Sequence, residues 1–106
     1  MGHDLTDKRL LEMHRLIGEK LRQNPTLLET SIKRLREVIV ERKRRDLYVE
    51  PFEEWLGILE TWPEPQILKF LVSESEEGNR LRQSGPFFGI LSEEERQNVF
   101  RIIRRS

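Results

Sequence analysis

Prolines divide this chain into segments, and within each segment the apolar residues recur at the spacing of one helix face. Asn24-Pro25 and Glu50-Pro51 are typical helix starts, because proline is favoured in the first turn of a helix. After the first pair, apolar residues follow at i, i+4, i+7 and i+11, namely Leu28, Ile32, Leu35 and Ile39. No stretch of five or more residues alternates apolar and polar side chains as a half-buried strand does. The sequence therefore predicts an all-α fold.

The same signals predict a bundle of five or six helices, in which two long antiparallel N-terminal helices are followed by shorter ones. The first helix is expected over about residues 6–23, with Asp4 or Thr6 as its cap, and the second begins at Pro25. Shorter helices are expected near 51–61, 64–75 and 76–83. Ser92 and Glu95 have the spacing of a capping box, which predicts the start of the last helix.

Length and composition indicate one helical domain over residues 1–106, with residues 1–3 expected to lie outside the fold. The absence of cysteine excludes disulfides, thiolate metal sites and cysteine nucleophiles. No segment has the apolar core of a signal peptide or about 18 consecutive apolar residues. We therefore expect a cytoplasmic protein that does not enter a membrane.

Catalysis and metal binding are the functions that the sequence supports least. His14 has Ile17 and Gly18 where a second metal ligand would stand on the same helix face. No serine lies in the local context of an activated nucleophile, and no glycine-rich loop has the spacing of a phosphate site. We predict that the chain is not an enzyme and needs no cofactor or metal.

Charge is distributed in blocks although the net charge is zero. Residues 1–45 carry a net charge of +5, residues 46–79 carry −8 and residues 80–106 carry +3. Two interpretations follow from this layout. The basic blocks pack against the acidic block within the fold, or one of the charged faces meets a charged partner.

A basic run near the end of the second predicted helix is the best candidate for contact with nucleic acid. Lysine and arginine clusters of this kind bind phosphate backbones and release counterions. The alternative is a helix C-terminus, where cations are favoured by the helix dipole. The candidate residues are Lys33, Arg34, Arg36, Arg42, Lys43, Arg44 and Arg45.

The segment RLRQSGPFFGIL, residues 80–91, has the most unusual local chemistry in the chain. Gly85 and Gly89 free the backbone and Pro86 fixes a turn, yet the segment is too apolar for a freely solvated loop. It either closes one end of the bundle or contacts a partner. The predicted partner contacts are Arg80, Arg82, Gln83, Ser84, Phe87 and Phe88.

Two stretches carry a resemblance to a known group of proteins: residues 13–29, which begin Met13-His14-Arg15, and the segment RLRQSGPFFGIL. Together they resemble an uncharacterised family of short, all-helical bacterial proteins encoded near toxin or nucleotidyltransferase genes. The resemblance implies a regulatory or antitoxin-like protein with a protein partner. It also implies that the recognisable positions are Arg80, Arg82, Gln83, Ser84, Pro86, Phe87 and Gly89. We therefore predict a non-catalytic protein-interaction module, with nucleic-acid binding as the alternative.

Overall fold

The computed structural model describes the backbone of residues 2–87 and 89–105, and the side chains of residues 5–87 and 89–103. Over these residues the structure is helical and contains no strand, so the predicted all-α fold is confirmed. Six helices follow one another in the described chain: α1 (Gly2–Gln23), α2 (Thr26–Arg44), α3 (Glu50–Thr61), α4 (Glu64–Leu71), α5 (Glu76–Arg82) and α6 (Glu93–Arg105).

The first helix begins earlier than predicted. The expected cap residues Asp4 and Thr6 both lie inside α1, which starts at Gly2. Residues 2 and 3 are helical and belong to α1, whereas residue 1 lies outside the described part of the chain. No apolar spacing marks this first turn, so only the capping preference was available to place its start.

The fourth helix ends four residues earlier than predicted, at Leu71. Two serines cause the break, because the Ser75 backbone N–H donates to Ser73 Oγ and the two hydroxyl oxygens lie 2.8 Å apart. Ser75 Oγ then accepts from the Gly78 N–H at 3.1 Å and caps α5. Serine side chains compete with helical hydrogen bonds in this way at helix ends.

The predicted capping box at the start of α6 is confirmed. The Glu95 N–H donates to Ser92 Oγ at 3.1 Å, and the Ser92 N–H donates to Glu95 Oε1 at 2.8 Å. At the start of α2, Asn24 Oδ1 accepts from the Thr26 N–H at 3.3 Å. Side-chain oxygens thus satisfy N–H groups that have no partner within the first turns of these helices.

The basic run at residues 42–45 ends α2 in a left-handed turn. The Leu47 N–H donates to the Arg42 carbonyl at 2.8 Å, the Asp46 N–H donates to the Lys43 carbonyl at 3.0 Å, and Asp46 has a φ of 54°. This is the hydrogen-bond pattern of a Schellman motif. The run therefore occupies a helix C-terminus, where the dipole favours cations.

One hydrophobic core joins the helices. Helix α1 contacts α2, α4, α5 and α6, while α2 packs on α3. Cross-helix pairs give the helix directions: Arg36 pairs with Glu60, and Lys43 pairs with Glu53. Because the partners occur in reverse order, α2 and α3 run antiparallel. The most deeply buried apolar core residues are Leu21, Leu35, Trp55, Ile67 and Leu71.

Candidate functional site

The candidate site consists of α5 and the joint that follows it, residues 83–92, which connects α5 to α6. The description starts at the contact between α5 and the end of α4. Gly78 is buried in the first turn of α5, and a Cβ atom placed on it would lie 2.5 Å from the Ser73 carbonyl oxygen. Real Cβ atoms essentially never come this close to another heavy atom. Only glycine therefore permits this backbone contact. The contact places the Arg82 side chain beneath the end of α4.

Arg82 is buried, with 2% of its surface exposed. Its Nη1 donates to the Leu71 carbonyl at 3.1 Å and to the Ser73 carbonyl at 2.6 Å, and its Nη2 donates to Asn79 Oδ1. Leu71 is the last residue of α4 and Ser73 lies two residues beyond it, so neither carbonyl has a partner within the helix. The prediction of Arg82 as a partner contact is therefore corrected, because its guanidinium is used to close the C-terminal end of α4.

Arg80, two residues earlier, points to the surface. It donates to Glu54 at 2.8 Å and to Glu77 at 2.7 Å, so it ties α5 to α3. Its guanidinium lowers the pKa of the Glu77 carboxyl through this hydrogen bond and its positive charge. Of the other predicted contacts, Gln83 is exposed and Ser84 is half-buried. Among the described members of the predicted contact set, these three are the ones that solvent reaches.

The aromatic part of the joint faces the core. Phe87 is buried and meets Trp55 edge-on, with ring centroids 5.7 Å apart, and Pro86 is buried beside it. Phe87 therefore closes the bundle and is not available to a partner, which corrects its assignment as a contact. Phe88 lies outside the described residues. Gly89 has a φ of 76°, a left-handed conformation that glycine adopts without strain.

Lys20 fastens the end of the joint to α1. Its Nζ donates to the Ile90 carbonyl at 3.1 Å and to Glu95 Oε1 at 2.5 Å. Glu95 also accepts from the Ser92 N–H, so one carboxylate serves both the capping box and the ion pair. The Lys20 ammonium lowers the pKa of the Glu95 carboxyl. Sequence reasoning missed this residue because its partners lie about 70 positions away.

Sequence reasoning considered His14 as a metal ligand and dismissed it, and its place in the joint was not predicted. It is buried on α1 with 4% of its surface exposed, and its ring meets Phe87 edge-on at 6.0 Å. Nδ1 lies 2.7 Å from the Leu10 carbonyl, which can only accept, so Nδ1 carries the proton and Nε2 is an acceptor. Within the described residues, Nε2 has no hydrogen-bond partner. The buried ring therefore presents one unsatisfied acceptor.

A cavity of about 360 Å³ lies beside this ring, between α1, the joint and α6. Its wall is formed largely by apolar side chains. Gln83 and Arg96 add polar groups, and Arg82 forms part of the lining. The apolar lining residues are Leu10, Met13, Ile17, Phe87 and Leu91.

Burial changes the acid–base behaviour of His14. Desolvation lowers its pKa from 6.5 to about 4, opposed by the hydrogen bond to Leu10 and reinforced by the positive charge of Arg82. The imidazole is therefore neutral at physiological pH. It can accept a hydrogen bond, but no described nucleophile is hydrogen-bonded to it.

Most of the predicted nucleic-acid contacts on α2 are engaged within the protein. Arg36 and Lys43 pair with acidic residues of α3, and Arg44 pairs with Glu41. Arg42 donates to the Tyr48 carbonyl at 2.7 Å and lies 4.7 Å from the centre of the Phe52 ring. The basic and acidic blocks thus meet across α2 and α3, as the first interpretation of the charge layout predicts. Lys33, Arg34 and Arg45 are exposed.

Comparison with protein-family models, curated proteins and solved structures finds no match for this chain. The resemblance to short bacterial helical proteins therefore stays a prediction. Among the residues that the structure describes, no helix is both long and apolar enough to cross a membrane. In the same part of the chain, no three acidic, histidine or cysteine side chains cluster so that they could hold a metal ion.

Replacing Arg82 by methionine should destabilise the fold by about 2–4 kcal/mol, because two carbonyls lose a buried charged donor. Arg80→Met is the matched control and should change stability little, since exposed ion pairs contribute little. Urea unfolding of both variants measures the difference. Equal stabilities for the two variants would contradict the different roles assigned to these arginines.

Stability should fall as the pH is lowered from 6.5 to 4, because the unfolded chain then protonates His14 and the folded chain does not. The His14 contribution is fully present above pH 6.5. Its total loss is roughly 3 kcal/mol. Carboxylates also titrate near the lower end of this pH window, so His14→Leu serves as the reference protein. The difference between the two proteins in unfolding free energy at each pH gives the contribution of the imidazole. If the unfolding free energies of the two proteins change with pH in the same way, burial does not lower the pKa of His14 and this prediction is wrong.

Proposed function

We propose that this chain is a non-catalytic protein-interaction module that acts as a regulatory partner of another cytoplasmic protein. The observation that carries the proposal is an exposed glycine, Gly57, in the middle of α3. A Cβ atom at this position would meet no atom within 4 Å. Glycine within a helix is less stable than alanine by about 0.5–1 kcal/mol. Nothing in the described fold requires glycine at position 57, so nothing there accounts for this loss of helix stability.

A groove between α2 and α3 passes over this glycine. Its volume is about 520 Å³, and Ile39, Val40 and Leu56 provide its apolar surface. Val40 is 68% exposed, so a large aliphatic side chain stands uncovered at the groove. The floor of the groove is therefore recessed at Gly57, and the exposed side chain of Val40 lies beside this recess.

The ends of the groove are defined by charge. Arg36 and Glu60 pair at one end, and Lys43 and Glu53 pair at the other. All four side chains are partly or largely exposed, so both signs of charge are available to a partner. A partner helix with an aliphatic side chain seated at Gly57 and flanking charged residues fits this surface best. A polyanion fits it less well, because Glu53 and Glu60 would oppose it.

The antitoxin-like role rests on the resemblance described above, and the groove supplies only the mode of binding. Arg80, Gln83 and Ser84 remain predicted partner contacts, on a surface separate from the groove lining.

Nucleic-acid binding through α2 is the second candidate, supported by the exposure of Lys33, Arg34 and Arg45. Titration of labelled duplex and single-stranded oligonucleotides at low and moderate salt tests it. Phosphate contacts predict an affinity that falls steeply with salt, and Lys33→Ala combined with Arg45→Ala should reduce it. No affinity at low salt would remove this candidate.

Partner binding is tested first by identification and then by substitution. A photo-crosslinking residue at Val40 in the full chain, expressed at its natural level, should capture one protein that the same residue at Gln97 on α6 does not. Binding of that purified protein is then measured for Gly57→Ala and for Gly18→Ala. Gly18 is the matched control because it is also helical, and its added Cβ would make only an ordinary contact of 3.9 Å with Leu71 Cδ1.

Both glycine variants should raise the unfolding free energy by about 0.5–1 kcal/mol. Only Gly57→Ala should weaken partner binding, by about tenfold, because a methyl group fills the hollow that the partner uses. Equal partner affinities for the two variants would overturn the assignment of the groove. Absence of a Val40-specific crosslink would count against the interaction module itself.

A further inference from the structure

An open pocket lies where α3 turns into α4, and it shares no lining residue with the α2–α3 groove. Its volume is about 310 Å³. We call it the Trp62 pocket, and its walls are provided by Trp62, Gln66, Lys69, Phe70 and Ser73. Trp62 is the C-cap residue of α3 and is 39% exposed, so an aromatic side chain is available to a ligand at this surface.

The aromatic walls of the Trp62 pocket are held in place by the fold. The rings of Trp62 and Phe70 meet edge-on, with centroids 5.4 Å apart and planes at 71°, so they form two sides of a corner. Behind this corner, Phe70 packs on the buried Trp55 indole at 5.6 Å. Pro63 restricts the backbone that follows Trp62. The corner therefore exists before a ligand binds, which lowers the cost of binding.

The polar groups of the Trp62 pocket mainly donate hydrogen bonds. The Trp62 indole N–H and the Lys69 ammonium are donors only. Neither group has a hydrogen-bond or ion-pair partner among the described residues. The Ser73 hydroxyl is already bonded to Ser75, whereas the Gln66 amide can donate or accept. A ligand that offers acceptors and few donors therefore complements this lining.

Charge restricts the ligand further. Lys69 is the one basic residue of the block 46–79, which carries a net charge of −8. The carboxylates of this block oppose the approach of a polyanion such as nucleic acid. At the pocket itself, the Lys69 ammonium opposes a basic peptide. An uncharged ligand meets neither form of repulsion.

We propose that the Trp62 pocket binds a proline-rich segment of a partner protein in the polyproline II conformation. Proline has a carbonyl acceptor and no N–H, and the polyproline II helix makes no internal hydrogen bonds, so its carbonyls are open to donors. The Trp62 N–H and the Lys69 ammonium donate to these carbonyls. The uncharged proline rings pack in the corner between Trp62 and Phe70, as they do in other aromatic-lined grooves. An α-helix fits less well, because its own backbone bonds use its carbonyls.

The test uses the full chain labelled with ¹⁵N, and octaproline is the probe. The two indole N–H signals report on the two tryptophans separately, and the spectrum of Trp62→Phe assigns them. Octaproline should shift the Trp62 signal in a saturable way, with a Kd below about 1 mM, while the signal of the buried Trp55 stays in place. An octapeptide of alternating glycine and serine has as many carbonyls but no rings and no preformed conformation. It should bind at least about tenfold more weakly.

Two substitutions separate a binding role from a structural one. Trp62→Phe keeps an aromatic ring against Phe70 but removes the indole donor. Octaproline binding, measured by calorimetry, should therefore weaken by about tenfold, while the urea midpoint changes little. Lys69→Met should also weaken binding, whereas the control Lys33→Met on α2 should leave it unchanged.

Absence of a saturable shift at Trp62 would overturn the proposal, as would equal shifts of both indole signals or equal binding of the two peptides. Full octaproline affinity in Lys69→Met would contradict the assignment of its ammonium as a donor to the peptide. None of these results bears on partner binding at Gly57, because the two surfaces share no lining residue.

Discussion

The hydrogen bond from the Trp55 indole to the Leu81 carbonyl is the contact on which the rest of the structure depends. Trp55 is fully buried, and its Nε1–H donates to Leu81 at 2.7 Å. The same carbonyl accepts from the Ser84 N–H at 3.0 Å, so both of its lone pairs are used. The bond therefore fixes α3 to the last turn of α5, at the point where the chain turns into the joint. Phe70 and Phe87 then pack edge-on against the indole.

Much of the fold follows from local sequence, and the roles that were predicted wrongly depend on how one helix packs on another. Proline pairs, apolar spacing and the Ser92 capping box depend on residues within a few positions of one another, so they predict the helices. Arg80 and Arg82 are the same residue type two positions apart, and their roles depend on which one lies under the end of α4. That difference arises from the early end of α4 at Leu71, where two serines compete for backbone hydrogen bonds.

The candidate site was predicted only in part, because several of its contacts join residues that are far apart in the chain. The segment 80–91 was recognised from its glycines, proline and phenylalanines, and the structure shows why an apolar joint is needed there. The contacts that Lys20 and His14 make with the joint were not predicted, because each joins residues about 70 positions apart along the chain. A lone histidine on an apolar helix face gives no sequence signal for a cavity. Sequence also cannot distinguish Gly57, which faces open space, from Gly78, which permits a close backbone contact.

The joint between α5 and α6 is an anchored part of the core. The two tryptophans offer the most direct measurement of that claim, through hydrogen exchange of their indole N–H groups in the native protein. Trp62 is 39% exposed and packs on Phe70, so its indole should exchange rapidly. Trp55 should exchange only through global unfolding, with an exchange free energy equal to that from urea unfolding. Exchange of the Trp55 indole at a rate close to that of Trp62 would contradict the account, because the Leu81 bond would then open while the protein stays folded.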